Sequence, residues 1–399
     1  MLDRWFQNRD VREHNEDQRN IREINRYRAL DFFNQSNAEA NLLIDGGYAE
    51  NRASIIASFV KNTTENSSEP IIIISQNQKT KKLLIDMAQA DEIGKLFVLD
   101  STNNEYDFFS GMKKNNIISF FKNMAVSRGY TNINSLDSYI TAFVEILSVK
   151  TTDINLSSLL AFSENTDTQI IDFAIHNGRK TAANALQSEA NSRADFRTLL
   201  IQLKNAVEPL TREKIDSELS VSRIIHDDYV FYIDISDITD DVIAALYFTE
   251  EIKGVSNKQY TVIFDDCMIL TNQVLQESLN KIKQNMNSVV VVSSENIVPT
   301  FEEKMRTNFG RQIIFLYGSA AFSDTQELLS RFGNYDHQEV FEGVGSSSES
   351  FGLFNNHITT NTTTYKRDKI IYDQYKNCTV VSGVNESDIM IVKNFVLDI

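Results

Sequence analysis

The sequence predicts an α/β fold built on a mostly parallel, doubly wound sheet that is interrupted by an all-helical insertion. Between residues 41 and 100, short runs of apolar and β-branched residues alternate with amphipathic helical segments, and the same alternation returns after residue 227. Fully apolar strands of this kind are typical of a parallel sheet covered on both faces. Between the two parts, apolar residues recur instead at the three- and four-residue spacing of helices.

The individual elements can be assigned in chain order. The predicted strands of the first part are NLLID, EPIIIIS and KLFVLD, separated by the helices NRASIIASFVKN and KTKKLLIDMAQA. The second part has the strands YVFYID, QYTVIFDD, SVVVVSS, RQIIFLY and QEVFEG with helical segments between them, and it closes with a hairpin of CTVVSG and DIMIVKNF. The right-handed crossover rule makes the first part a βαβαβ unit.

These patterns divide the chain into four segments. They are a charged N-terminal helix (1–34), the first part of the α/β domain (35–104), an all-helical domain (105–222) and the second part of the α/β domain (223–399). The first segment is predicted to be helical because Ile21, Ile24 and Tyr27 recur at helical spacing among interleaved charges. Residues 343–364 are rich in Ser, Thr, Asn and Gly, which predicts a flexible or hairpin-like excursion.

Charge and composition exclude several classes of function. The formal net charge is −16, from 39 basic and 55 acidic residues, which argues against non-specific binding of nucleic acid because phosphate contacts need clustered Lys and Arg. The two cysteines, Cys267 and Cys378, lack the spacing of a zinc site. No apolar run approaches the ~20 residues of a membrane span, and the N-terminus lacks the apolar region of a signal peptide. We therefore expect a cytoplasmic protein.

One turn has the spacing of a phosphate-binding loop, GxxxxGK[ST], between a strand and a helix. In that motif backbone N–H groups surround the phosphates, the Lys reaches the outer phosphates, and the hydroxyl holds magnesium. Gly46 fits the first position and Asn51 replaces the second Gly, because Asn tolerates positive φ. Arg52 replaces the Lys and Ala53 replaces the hydroxyl. Gly46, Gly47, Asn51, Arg52 and Ala53 are therefore the candidate nucleotide-binding residues.

The replacements weaken the motif chemically. Ala53 has no hydroxyl, and the guanidinium of Arg52 is not interchangeable with a compact ammonium. Glu50 adds a negative charge where phosphates would lie. Taken alone, the frame fits an ordinary strand–turn–helix joint better than a working phosphate-binding loop.

Two other predicted strands end in polar residues that a nucleotide site would use. YTVIFDD ends at Asp265, the position of an aspartate that orients magnesium, and Asp266 stands where an acid would activate water. SVVVVSS ends at Ser294, where many P-loop ATPases carry a polar sensor. Because ligands bind at the carboxyl ends of parallel strands, we expect Gly46, Asp265 and Ser294 on one rim. Asp265, Asp266 and Ser294 form the candidate catalytic set, with Asp265 as the candidate magnesium ligand.

In this order, the motifs resemble those of the coupling ATPases of conjugation and type IV secretion, in the FtsK–HerA group of P-loop motors. The degenerate loop LLIDGGYAENRA lies where these proteins have their nucleotide site, and the helical block lies where they carry an all-α domain. YVFYIDISD, YTVIFDD, the segment MRTNFGRQIIFLYGSAAFSDTQELLSRFGNYDHQEV and the closing KRDKIIYDQYKNCTVVSG are also similar to theirs. The resemblance covers residues 40–395 and implies a RecA-like P-loop domain.

The resemblance implies a component of a conjugation or type IV-like secretion machine, and the departures in the loop predict that ATP hydrolysis has been lost. The first hypothesis is a catalytically inactive coupling or substrate-recruiting subunit. Its partners would be proteins of the machinery and related ATPase subunits in a ring. DNA stays open as a partner, although the acidic charge does not favour it, and the chain would reach the membrane through its protein partners. The alternatives are an active ATP-driven translocase of DNA or protein with a divergent loop, and a nucleotide-free scaffold. ATP and magnesium are expected as cofactors only if the loop still binds them.

Overall fold

The structure is a computed structural model. It describes residues 21–102, 106–211, 220–224, 229–255, 259–266, 288–295, 309–317, 334–345, 358–369, 377–384 and 389–397, together with a few isolated positions between 274 and 282. Four predicted helical segments lie largely or wholly outside these residues: 271–285, 299–308, 323–333 and 370–377.

The described residues form fourteen strands in chain order. They are β1 (Ile21–Ile24), β2 (Tyr27–Arg28), β3 (Leu42–Asp45), β4 (Ile71–Ser75), β5 (Lys95–Leu99), β6 (Tyr229–Asp234), β7 (Tyr260–Asp265), β8 (Ser288–Ser294), β9 (Arg311–Phe315), β10 (Asn334–Gly345), β11 (Ile358–Lys369), β12 (Thr379–Ser382), β13 (Ile389–Val392) and β14 (Phe395–Val396). Their helices are α1 (Ala29–Gln35), α2 (Ala49–Asn66), α3 (Gln78–Gln89), α4 (Lys114–Ser127), α5 (Ile133–Lys150), α6 (Leu156–Ser163), α7 (Asp167–His176), α8 (Lys180–Ser188), α9 (Arg193–Val207), α10 (Val221–Ile224) and α11 (Asp241–Gly254).

Ten strands form one sheet in the order β1-β13-β12-β9-β3-β8-β7-β4-β6-β5. The seven strands from β9 to β5 are all parallel to their neighbours. Only β12 is antiparallel, to both β9 and β13. The predicted mostly parallel, doubly wound sheet is therefore confirmed, and so is the closing hairpin of β12 and β13.

Helices cover both faces of the sheet. Neighbouring residues of a strand point to opposite faces, so each strand contributes side chains to both layers. Ile71 and Ile73 of β4 pack in one hydrophobic cluster with α1, α2 and α3. Ile72 and Ile74 of the same strand pack in the second cluster, together with α11 and the helices between β5 and β6. The apolar run Ile71–Ile74 of β4 follows directly, since both faces of the strand are buried.

The segment between β5 and β6 is helical in the part that the structure describes, from α4 to α10. Its apolar residues share one hydrophobic cluster with the sheet rather than forming a separate core. Tyr247 of α11 lies among Phe108, Phe109 and Phe120, with ring centroids 4.6 to 5.7 Å apart. The predicted boundaries at residues 105 and 223 remain predictions. Within the described residues, no helix is long and apolar enough to cross a membrane.

The predicted N-terminal helix is wrong for residues 21–28. Ile21–Ile24 is a strand that pairs in parallel with β13, with Ile21 opposite Ile389, and Tyr27–Arg28 pairs with β14. Pairing with the closing hairpin overrides the helical spacing, because strand formation depends on tertiary neighbours more than on local preference. Helix α1 does follow at Ala29, and residues 1–20 lie outside the described residues.

The polar excursion predicted near residues 343–364 is flanked by a long antiparallel hairpin. Strands β10 and β11 pair over twelve residues each, from Asn334 opposite Lys369 to Gly345 opposite Ile358. The hairpin-like alternative is therefore confirmed for the described backbone, and residues 346–357 lie outside it.

Candidate functional site

The carboxyl ends of the central strands bring the predicted site residues to one rim. The strand register places Asp45 at the end of β3 opposite Ser294 of β8, and Ser293 opposite Asp265 of β7. The N–H of Gly46 donates to the carbonyl oxygen of Ser294 at 3.0 Å. The expected juxtaposition of Gly46, Asp265 and Ser294 is thus present, and Ser294 takes part in it through its backbone.

The two glycines are required by the close approach of strand β9. Gly46 and Gly47 have φ angles of 76° and 70°, in the left-handed region that favours glycine. A Cβ atom on Gly46 would lie 2.5 Å from the carbonyl oxygen of Phe315, and one on Gly47 would lie 2.8 Å from the Phe315 ring. Packing against β9 therefore accounts for both glycines without any phosphate.

The N–H groups of both glycines are already used inside the protein. Gly46 donates to Ser294, and Gly47 donates to the carbonyl oxygen of Tyr317 at 3.0 Å. In a phosphate-binding loop such groups face the ligand. Here they face the neighbouring strand ends instead, so they tie the turn to β8 and β9.

Helix α2 begins within the motif frame. Tyr48 is the N-cap and Ala49 is already helical. Asn51 therefore does not take the positive φ expected of a substitute for the second glycine; among the described residues, only Asp91, Phe109 and Asp266 have positive φ without being glycine. The Asn51 side chain accepts a hydrogen bond from the Tyr48 N–H at 3.1 Å. This expectation was wrong because the helix starts too early to leave a wrapped loop.

The guanidinium of Arg52 fills the centre of the turn. Its Nη1 donates to the carbonyl oxygens of Gly46 and Gly47 at 3.2 and 2.7 Å. Its Nη2 lies 2.9 and 2.8 Å from the two carboxylate oxygens of Asp266. The side chain of Arg52 is only 2% exposed. Arg52 and Asp266, predicted as a phosphate ligand and a water-activating acid, are thus each other's partners.

Asp265 is fully buried and is held by two hydroxyl groups. Its Oδ2 accepts from Ser75 at 3.0 Å and from Thr80 at 2.6 Å. Burial, together with the neighbouring charge of Asp266, raises the pKa of Asp265 to about 6. Neither Ser75 nor Thr80 is among the residues predicted from the sequence. Ser75 could have been found from its place at the end of the predicted strand EPIIIIS.

A second buried ion cluster lies farther along the same rim. Lys81 of α3 bridges Asp100 at 2.7 Å and Asp234 at 2.9 Å, and Gln78 also donates to Asp234 at 2.8 Å. This cluster is not among the sites predicted from the sequence, although the predicted strands KLFVLD and YVFYID both end in Asp. Among the described residues, no group of three or more His, Cys, Asp or Glu is arranged to hold a metal ion.

The residues present do not fit a magnesium–nucleotide complex. Ala53 offers no hydroxyl, and it is fully buried in α2. The Arg52 guanidinium and the glycine N–H groups already have partners within the chain. A phosphate entering the turn would have to displace the ion pair of Arg52 with Asp266 and would meet two carbonyl oxygens.

The sheet order, the strand–turn–helix at Gly46 and the acidic strand end at Asp265 define a P-loop-like α/β fold. No protein-family model matches the chain, and no curated protein matches it. Among solved structures, the bacterial conjugative coupling protein TrwB is similar. TrwB bound to the ATP analogue ADPNP shares 12% identity with a TM-score of 0.53, covering 92% of this chain and 88% of that one. An unbound form of TrwB shares 10% identity with a TM-score of 0.52, covering 90% and 86%.

At these identities the similarity shows the fold. The chain has the RecA-like P-loop fold of the conjugative coupling proteins, and the resemblance noted in the sequence is confirmed at this level.

Proposed function

We propose that this chain is a P-loop-derived component of a conjugation or type IV-like secretion machine that acts without hydrolysing ATP. The observation that carries the proposal is the ion pair of buried Arg52 with the partly exposed Asp266, at the loop of a coupling-protein fold. It occupies, with the chain's own side chains, the place where a P-loop protein holds its nucleotide.

The expected loss of activity is large. A phosphoryl-transfer site relies on a cationic clamp and a metal ion, which supply several kcal/mol of transition-state stabilisation. Without a metal-binding hydroxyl, and with the cation of Arg52 paired to Asp266, the rate of ATP hydrolysis is expected to fall by about 10³-fold or more, at ~1.4 kcal/mol for each factor of ten. The role of such a subunit is then to recruit substrate or to occupy a place in a ring.

Protein partners fit the chain better than DNA does. With a net charge of −16, the chain gains little from phosphate contacts, which depend on released counterions and clustered basic residues. We propose that it meets proteins of the machinery, including related ATPase subunits that retain a complete loop, and that any attachment to the membrane runs through these partners.

Isothermal calorimetry with ATP, with and without magnesium, tests the proposal. TrwB is the positive control, because one of its solved structures holds ADPNP. We expect heat of binding for TrwB and none for this chain at millimolar ATP. Magnesium-dependent binding that disappears in Gly46→Asp would refute the proposal and favour the active translocase, and hydrolysis assays with DNA would follow.

The partner is tested separately. The chain is mixed with the loop-complete ATPase of the same machine, and the mass of the assembly is measured with and without ATP. A mixed ring supports the coupling role. A chain that remains alone with every component of the machine would leave only the scaffold alternative.

A further inference from the structure

The turn after β3 presents hydrogen-bond acceptors, rather than donors, to its interior. The N–H groups of Gly46 and Gly47 point away from the interior, to Ser294 and Tyr317. Their carbonyl oxygens point inward and accept from Arg52 at 3.2 and 2.7 Å. A phosphate-binding loop has the opposite polarity, with its N–H groups facing the anion. The interior of this turn is therefore suited to a cation.

A carboxylate completes the acceptor set. Both oxygens of Asp266 lie within 2.9 Å of Nη2 of Arg52. The backbone of Asp266 has a φ of 53°, and its N–H donates to the carbonyl oxygen of Ser293 at 2.9 Å. These contacts aim the carboxylate at the turn. The two carbonyl oxygens and the carboxylate therefore accept hydrogen bonds from the two terminal nitrogens of one planar guanidinium, that of Arg52.

That arrangement selects a guanidinium over other cations. A guanidinium carries its donors in a rigid planar fork, whereas an ammonium is a compact, strongly hydrated charge. In Arg52, one terminal nitrogen serves the two carbonyl oxygens and the other serves the carboxylate. The spacing between these acceptors matches a group with two separate nitrogens.

We propose that the turn is a guanidinium-binding site, formed by the carbonyl oxygens of Gly46 and Gly47 and the carboxylate of Asp266, and permanently filled by the chain's own Arg52. This inference goes beyond the proposed function and does not depend on any role in secretion. Its direct consequence is that Arg52→Ala creates an empty site for a small guanidinium ion.

Burial gives the emptied site its affinity. The Arg52 side chain is 2% exposed, so its removal leaves a void and takes the counter-charge from Asp266. A partly buried carboxylate that loses its partner destabilises the protein, and a cation that restores the pairing is bound favourably. The Asp266 side chain is 21% exposed, which leaves a small ion a route from solvent.

The test is chemical rescue of Arg52→Ala with methylguanidinium. The ratio of folded to unfolded protein is measured by urea unfolding in millimolar methylguanidinium, at ionic strength held constant with sodium chloride. We expect this ratio to rise about tenfold when the ion is present at ten times its Kd. Methylammonium, phosphate and ATP should leave the ratio unchanged.

Two further variants serve as controls. Ile56→Ala removes a fully buried side chain from the same helix without touching a charge, and methylguanidinium should not rescue it. Asp266→Asn, added to Arg52→Ala, should abolish the rescue because the carboxylate is lost. If Arg52→Ala does not fold alone, its refolding yield is measured instead, and methylguanidinium should raise that yield whereas methylammonium should not.

Equal rescue by methylammonium, rescue by phosphate or ATP, or no rescue by methylguanidinium would each overturn the inference. Calorimetry of the unaltered chain with ATP tests the proposed function independently, so failure of one idea is distinguishable from failure of the other.

Discussion

Glu251 of α11 is expected to make the stability of this protein depend on pH. Its carboxylate is fully buried, where it accepts from the Tyr106 hydroxyl at 2.5 Å and from the Ser222 N–H at 3.0 Å. Burial raises the pKa of Glu251 from 4.5 to about 7, although these hydrogen bonds favour the charged form. The same contacts link α11 to residues at the two ends of the helical insertion, Tyr106 and Ser222.

The direction of the effect follows from proton linkage. Because the pKa of Glu251 is higher in the folded state, the folded protein binds more protons between pH 4.5 and about 7. The free energy of unfolding therefore falls as the pH rises through that window. At 1.36 kcal/mol per unit, the full effect is about 3 kcal/mol, of which about 1 kcal/mol falls between pH 6 and 8.

The perturbation is Glu251→Gln, which resembles the protonated acid in shape and cannot ionise. The free energy of unfolding is measured in urea for the wild type and the variant at steps from pH 6 to 8. We expect the variant to gain about 1 kcal/mol relative to the wild type across this range. The difference between the two proteins cancels the titration of other groups, including Asp265, whose raised pKa of about 6 acts mainly at lower pH.

The control is Glu145→Gln, which removes a half-exposed glutamate that pairs with Arg179 on the surface. It makes the same Glu-to-Gln change at a solvent-accessible position, and the pH dependence of Glu251→Gln is compared with it. A constant difference for Glu251→Gln over the same range would refute the reasoning, because it would mean that Glu251 titrates alike in the folded and unfolded states.

Three further substitutions have expected outcomes that urea unfolding at pH 7 can check. Gly46→Ala should cost about 1–3 kcal/mol, because the added Cβ would lie 2.5 Å from the Phe315 carbonyl oxygen at a positive φ; an unchanged midpoint would contradict the tight approach of β9. Thr80→Val should cost about 1–3 kcal/mol by removing a 2.6 Å hydrogen bond to buried Asp265, and NMR titration should show a further rise in the pKa of that carboxyl. Lys81→Met should cost about 3–5 kcal/mol, because it leaves two buried carboxylates without their cation. A loss below about 1 kcal/mol would contradict this expectation, because that is the contribution of a solvent-exposed ion pair.

Much of the fold was predictable because the sheet is buried on both faces. An apolar run such as the one in Ile71–Ser75 must be buried, and its length and β-branched residues fit a strand that is covered on both faces, so the sequence indicates the structure directly. The β1 strand was not predictable in this way. Its partner β13 lies more than 360 residues later in the chain, and local spacing carries no information about such pairing.

The candidate site was likewise predictable only in part. Strand ends are visible in the sequence, and parallel strands must bring their carboxyl ends to one edge. The rim that joins Gly46, Asp265 and Ser294 was therefore foreseeable. The partners that enter from neighbouring helices, such as Thr80 and Lys81, were not, because their direction depends on how each helix packs against the sheet.

The sequence by itself determined the α/β class and the position of the strand–turn–helix at Gly46, and it shows Ala53 where a phosphate-binding loop has a hydroxyl. Only the tertiary structure decided which groups meet inside this turn. It begins α2 at Ala49, turns the carbonyl oxygens of the loop inward and brings Asp266 within 2.9 Å of Arg52. The physical reason is that a buried cation must find compensating acceptors, and those acceptors lie 214 residues apart in the chain or on the backbone, where residue types alone do not reveal them.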